Sequence, residues 1–173
     1  MLTIGRLTRQ KNHIFLVNSI SEIFKKYKDL KLYIIGDGEL KKEIENTIKK
    51  LNLSDRIFLL GYKKNVFQYL KNCKCFVLSS LWEDPGYVLI EAAMSNTSII
   101  SSNCPNGPEE ILDSGSSGFL FKSDSKQDLI KKFDEFMNSN TEELQKKKIN
   151  AKKRIKIYTN FTHYKYLKNY LNI

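Results

Sequence analysis

Cysteine, histidine, proline and tryptophan are scarce in this chain: of 173 residues, three are Cys, two His, three Pro and one Trp. The cysteines, Cys73, Cys75 and Cys104, are odd in number and contain no Cys-x-x-Cys pair. That composition argues against a disulfide framework and a zinc ribbon, and a reducing cytoplasm is the natural setting. With only His13 and His163 available, a histidine-based metal site is not expected. No stretch reaches the roughly 18 consecutive apolar residues that a membrane-spanning helix needs. Met1-Leu2-Thr3-Ile4 runs at once into Gly5 and Arg6 without an apolar h-region, so no secretory signal is expected.

What is present is an ordinary globular balance with an uneven charge. Hydrophobic residues make up 41% and charged residues 28%, which excludes a disordered or low-complexity chain. The length suits one domain with a real core. The net charge is +10. Residues 1–121 hold 16 basic and 13 acidic side chains, whereas residues 122–173 hold 13 and 6. The densest run, residues 146–156, has seven basic residues and no acid. It reads either as the solvated face of a helix or as a foothold on anionic lipid headgroups or another polyanion. Nucleic acid is not expected, because the run lacks interleaved aromatics and no nucleic-acid fold signature accompanies it.

Short apolar strands alternate with amphipathic helices. Strands are expected at Leu2 to Gly5, Lys31 to Ile35, Arg56 to Leu60, Cys75 to Leu78, from Ile99, and at Gly118 to Phe121. Helices are expected after Asn12, read as an N-cap, and between Leu40 and Leu51, around Val66 to Leu70, and after Pro85 through Met94. The last fifty residues read as helical. Repeated β-α units with near-continuous apolar strands predict an α/β fold: a Rossmann-like parallel sheet with helices on both faces, followed by a C-terminal helical tail. A core over residues 1–121 is expected, with residues 122–173 as further helices of the same domain. In such sheets ligands bind beyond the carboxyl ends of the strands, so the strand-to-helix turns are the informative segments.

Gly36-x-Gly38 lacks the third glycine of a dinucleotide fingerprint, since position 41 is Lys41, and a glycine turn accounts for it. The segment Ser79-Ser80-Leu81-Trp82-Glu83-Asp84-Pro85-Gly86-Tyr87 is more informative. Pro85 favours a helix start, whose free N–H groups and dipole suit a phosphate. Glu83 precedes that helix and Glu91 lies about one and a half turns inside it. At roughly 1.5 Å rise per residue the two carboxylates come about 10 Å apart, a span suited to hydroxyl groups at the two ends of a diphosphate. Arg6 and Lys11 follow the first strand, where a guanidinium fork and an ammonium can converge on an anion.

These residues resemble a known family. Gly5-Arg6-Leu7 with Lys11, Gly36-Asp37-Gly38, Leu60-Gly61-Tyr62, Ser79-Ser80, Glu83-x7-Glu91-Ala92, Gly107-Pro108-x-Glu110-Ile111 and Gly115-x-x-Gly118 occur in the order found in the C-terminal, donor-binding domain of GT-B glycosyltransferases of family 4 (glycosyl transferases group 1). The resemblance implies a retaining, metal-independent hexosyltransferase that uses a nucleotide-diphospho-sugar, with UDP-sugars favoured over GDP-sugars. It implies that Arg6 and Lys11 hold the diphosphate and stabilise the leaving nucleotide, and that Glu83 accepts donor-sugar hydroxyls. It further implies that Glu91 binds the ribose, that N–H groups near Gly86 and Tyr87 approach the sugar or phosphates, and that Gly5, Gly61 and Tyr62 line the nucleotide site. No metal or further cofactor is implied. A glycan or polyprenyl-linked acceptor is implied, as is a cytoplasmic location with peripheral contact to the membrane.

The chain departs from the family in three places. Gly86 comes third after Glu83 where the family has Gly directly after it. Asn96 and Ser98 stand where the family has Gly and Pro. The chain begins inside the first motif, so an N-terminal acceptor-binding domain of about 180 residues, by ordinary domain sizes, is expected to be missing. Phe161, Tyr164, Tyr166, Leu167, Tyr170 and Leu171 then either meet that domain or pack on this chain's own core. A nucleotide-sugar-binding module without turnover of its own is the alternative reading.

Overall fold

The computed structural model describes residues 1–171. Six strands, β1 (Leu2–Ile4), β2 (Leu32–Ile35), β3 (Ile57–Gly61), β4 (Phe76–Leu78), β5 (Ile99–Ser102) and β6 (Phe119–Phe121), form one sheet in the order β3-β2-β1-β4-β5-β6. Every pairing is parallel. Between them run α1 (His13–Lys26), α2 (Lys41–Lys50), α3 (Phe67–Asn72), α4 (Tyr87–Met94) and the four-residue α5 (Pro108–Ile111). The chain continues through α6 (Lys126–Asn138), α7 (Thr141–Arg154) and α8 (Asn160–Leu171). This is the expected Rossmann-like architecture, with helices following the sheet.

The sheet is buried on both faces because its strands are apolar on both sides. Leu32, Ile34, Ile57, Val77 and Ile100 join α1, α2 and α6 in one core. Leu2, Ile35, Phe76, Leu78 and Ile99 join α3, α4, α5 and Ala151 of α7 in the other. Neighbouring strand residues face opposite sides, as the two-residue period of a strand requires. On α1, Leu16, Val17, Ile20, Ile23 and Phe24 are buried at the helical period. Arg56 closes that helix: its guanidinium donates to the carbonyls of Phe24, Tyr27 and Leu30 and lies over the Phe24 ring.

Asn96 ends α4 in the left-handed conformation (φ 58°), so Asn stands in for the glycine of a left-handed cap. Asn52 does the same after α2 (φ 54°). Two local expectations are corrected. Asn12 precedes α1 but its side chain does not cap the helix; it donates to Asp124 Oδ1 at 3.1 Å. Pro85 does not open α4, which begins at Tyr87 behind Gly86, itself left-handed at φ 82° and ψ 44°.

The basic run lies on α7 and the turn after it, and it is only partly free. Lys147 turns inward and donates to the carbonyls of Gly115 (2.7 Å) and Gly118 (3.2 Å), with its ammonium near the Phe119 ring. Burial lowers its pKa. Arg154 donates to the Glu110 carbonyl at 3.2 Å. Lys146, Lys152, Lys153 and Lys156 remain exposed. On α8, Phe161, Tyr164, Tyr166, Leu167, Tyr170 and Leu171 are all exposed, so they do not pack on this chain's own core. No helix among the described residues is long and apolar enough to cross a membrane.

Candidate functional site

The strand order places the site. From β1 the chain winds outward through β2 to β3, then returns to β4 on the other side of β1 and winds away through β5 to β6. The direction of winding reverses between β1 and β4, and in such sheets the ligand crevice lies beyond the carboxyl ends of the strands at this reversal. The loops leaving β1 and β4 are residues 5–12 and residues 79–86, the two segments that carry Arg6, Lys11 and Glu83.

Backbone and side-chain hydrogen bonds fasten the two loops together. Leu81 N donates to Gln10 O at 2.8 Å, Gln10 Nε2 to Trp82 O at 3.0 Å, and Ser79 Oγ to Lys11 O at 2.9 Å. The β2–α2 turn supports the first loop from beneath. Leu7 N donates to Asp37 O at 2.9 Å and Leu40 N to Leu7 O at 3.0 Å. A β-carbon on Gly36 would collide with the Gly5 carbonyl, and one on Gly38 with Leu7. The Gly36-x-Gly38 pair is thus explained by the close passage of the Gly5–Leu7 backbone.

Lys11 and Glu83 meet across this junction. Lys11 Nζ lies 2.6 Å from Glu83 Oε1 and 2.8 Å from Oε2. Their side chains are 14% and 3% exposed. Ser80 Oγ also donates to Glu83 Oε1, and Glu83 N donates to Pro105 O at 3.0 Å. An ammonium has three donors and two are taken by the carboxylate, which leaves one for an anion in the crevice. Glu83 Oε2 accepts from Lys11 alone among the described residues, so it keeps a free lone pair.

The other expected residues lie at the same end of the sheet but are not drawn into this pair. Gly5 follows β1, and Lys11's aliphatic chain packs against it: a β-carbon there would stand 3.1 Å from Lys11 Cγ and Cδ. Arg6 is exposed, its side chain makes no hydrogen bond or ion pair among the described residues, and its guanidinium is open to a ligand. Gly61 ends β3 at φ 68°, followed by Tyr62, 77% exposed. Gly86 and Tyr87 open α4, with Tyr87 69% exposed. Glu91 is half-buried on that helix, and burial raises its carboxyl pKa. His13 is buried at the start of α1, and burial together with Lys11 lowers its pKa to about 4.

Ser79-Ser80 is legible in the sequence as a motif, but the sequence assigns no role to the serines beneath the pair. Ser80 and Ser102 are fully buried; Ser102 Oγ donates to Ser80 O at 2.7 Å, and Ser123 Oγ approaches the same carbonyl at 3.4 Å. The available signal was a serine three residues before Glu83, within hydrogen-bonding reach of its carboxylate. The Gly107–Ile111 motif is placed too. Gly107 (φ 123°) lies so close to the Pro85 carbonyl that a β-carbon would clash, and Glu110 Oε1 accepts from Tyr158 Oη at 2.7 Å.

Comparison with known proteins bears on the family and the fold. The sequence model of the glycosyl transferases group 1 family matches residues 1–154. The chain is 49% identical over 111 residues to an uncharacterized glycosyltransferase of Methanocaldococcus jannaschii, covering 64% of this chain and 27% of that one. It is 32% identical over 130 residues to the N-acetylgalactosamine-N,N'-diacetylbacillosaminyl-diphospho-undecaprenol 4-alpha-N-acetylgalactosaminyltransferase of Campylobacter jejuni, covering 75% of this chain and 35% of the relative. Among solved structures, a mutant of S. aureus TarM in complex with Fondaparinux, alpha-GlcNAc-glycerol and UDP superposes with a TM-score of 0.87 at 25% identity, over 99% of this chain and 34% of that one. The chain therefore spans about a third of the length of these proteins.

Proposed function

The chain belongs to the glycosyl transferases group 1 family, and we propose that it forms the donor-binding half of a retaining glycosyltransferase that moves a hexose from a nucleotide-diphospho-sugar to a glycan or lipid-linked acceptor. The observation that carries this reading is the meeting of Lys11 and Glu83 at the point where the sheet reverses its winding, with the free guanidinium of Arg6 on the same loop. The relative from Campylobacter jejuni, named for a diphospho-undecaprenol substrate, supports the acceptor class. The TarM complex, which contains UDP, supports a UDP-sugar donor.

In this reading the diphosphate lies between Arg6 and the third N–H of Lys11. As the sugar's C1–O bond breaks, negative charge builds on the departing nucleoside diphosphate beside two cations, Lys11 held by Glu83 and the free guanidinium of Arg6, and this supplies electrostatic stabilisation of the transition state. The free lone pair of Glu83 Oε2 accepts a donor-sugar hydroxyl. Glu91 takes the ribose hydroxyls, backbone N–H groups at Gly86 and Tyr87 approach the sugar or phosphates, and Gly5, Gly61 and Tyr62 border the nucleotide. Residues 1–121 form the nucleotide-sugar core, and the helices of residues 122–171 belong to the same domain. The acceptor is supplied by a partner domain that meets the exposed apolar residues of α8. Lys146, Lys152, Lys153 and Lys156 provide a foothold on an anionic membrane surface.

Calorimetric titration with UDP, GDP, ADP and their sugar conjugates tests the donor site, beside Arg6→Ala and Glu91→Ala. Binding of one nucleotide family, weakened by both substitutions, is the expected result. A folded chain whose affinity neither substitution changes refutes the assignment.

A further inference from the structure

Glu83 can clamp Lys11 only if its carboxylate is held in one orientation, and the terminal torsion of a glutamate is soft and roughly two-fold. Something must therefore fix it. The buried neighbour that does so is Ser80: its hydroxyl donates to Oε1, the same oxygen that receives the shorter Lys11 contact. Ser80 is itself anchored. Its carbonyl accepts from Ser102 Oγ of β5 at 2.7 Å and lies 3.4 Å from Ser123 Oγ beyond β6, so three successive strand ends converge on it. Ser80 and Ser102 are fully buried and Glu83 nearly so, and water has little access to replace a missing donor.

We propose that Ser80 is a positioning residue of the donor site: through its hydrogen bond to Glu83 Oε1 it fixes the carboxylate that holds the Lys11 ammonium in the crevice. This rests on the donor-site reading above for its functional meaning, but its physical content, a serine that orients a lysine through a glutamate, can be tested without any nucleotide. Without the hydroxyl, Oε1 loses its neutral donor, the carboxylate turns, and the lysine is no longer held by both oxygens at once. A lysine freed from a two-oxygen contact is more often available as a nucleophilic amine.

The test is acylation of the folded chain with an N-hydroxysuccinimide ester of acetate, with each lysine followed by peptide mass mapping in wild type, Ser80→Ala and Ser80→Thr. Lys11 acylation is expected to rise about fivefold in Ser80→Ala, with Lys63 and Lys126 unchanged, and to return toward the wild-type rate in Ser80→Thr, which restores the hydroxyl. A Lys11 rate within about twofold of wild type in Ser80→Ala overturns the proposal. So does a uniform acceleration of all lysines, which would mark general loosening. Should Ser80→Ala lose its near-ultraviolet circular dichroism, Ser80→Cys, of nearly the same volume but a weak donor, takes its place under the same criteria.

A second arm reads the consequence at the site. Ser80→Ala is expected to weaken UDP about tenfold while leaving uridine within twofold, and to have no further effect on UDP in a Lys11→Met background. An equal loss in that background contradicts action through Lys11. If wild type binds no nucleoside diphosphate at all, the donor-site reading fails, while the acylation rates still decide the role of Ser80.

Discussion

Removing the Lys11 side chain should destabilise this fold far more than removing an ordinary surface lysine. In Lys11→Ala the Glu83 carboxylate, 3% exposed, loses both ammonium contacts and keeps only the Ser80 hydroxyl. Breaking a buried ion pair by deleting one partner costs about 3–5 kcal/mol, because a charge is left uncompensated. Lys11 is 14% exposed, so water can follow into the space it leaves. That hydration and the retained serine bond return about 1 kcal/mol, leaving a loss of about 2–4 kcal/mol. For a domain of this size the corresponding fall in Tm is roughly 5–15 °C. Glu83→Gln added to Lys11→Ala removes the stranded charge and should recover about half of the loss. Urea denaturation followed by far-ultraviolet circular dichroism is the assay, with Trp82, the only tryptophan and adjacent to Glu83, as a fluorescent probe of the same transition. An unchanged m-value would license reading midpoint shifts as stability. A Lys11→Ala midpoint equivalent to less than about 0.5 kcal/mol of destabilisation, the range of neutral surface changes, would refute the reasoning. So would a double variant no more stable than the single one.

Further outcomes follow from groups elsewhere in the fold. His13 is 1% exposed, and its pKa lies near 4, below the ordinary 6.5, so the folded state resists its protonation. The stability this contributes is complete above pH 6.5 and is lost as pH falls toward 4, about 2 kcal/mol of it by pH 5; urea midpoints at pH 7.5 and 5 should show this slope, flattened in His13→Gln. Burial pushes the Cys73 thiol to about 11 and Cys75 to about 12, and also raises Cys104. The native thiols should therefore react with a disulfide reagent at least tenfold more slowly than in the urea-unfolded chain; equal rates would contradict their burial. Lys147→Ala leaves the Gly115 and Gly118 carbonyls without their donor and should cost about 1–2 kcal/mol in urea denaturation, whereas Lys152→Ala on the exposed side of α7 should stay within about 0.5 kcal/mol.

The strands were legible because a parallel sheet covered on both faces demands short, almost uninterrupted apolar runs, and five of the six stood between polar or glycine-bearing turns. The short α5 was not read as a helix, since four residues cannot display a helical period. The cap at Asn12 failed for a different reason: its amide is drawn to Asp124, 112 residues away, by a contact that no local pattern records. Pro85 likewise signalled a helix start, but Gly86 supplies the left-handed turn into α4 and moves the start to Tyr87. The loops that carry the site were legible as strand-to-helix turns. That Lys11 reaches Glu83 was not, because the pairing depends on β4 returning beside β1, a property of strand order rather than of either segment. Ser102 and Ser123 beneath the pair were invisible for the same reason, whereas Ser80, three residues before Glu83, was within local reach. Half of the basic run's meaning also lay in tertiary structure: Lys147 and Arg154 bind carbonyls of the loop and helix that α7 covers.

A crystal structure of this chain with UDP tests the central claim most directly. The account predicts diphosphate oxygens within about 3 Å of both Lys11 Nζ and the Arg6 guanidinium, with ribose hydroxyls on Glu91. A nucleotide seated elsewhere, with the Lys11–Glu83 pair untouched and Arg6 still free in solvent, would contradict it.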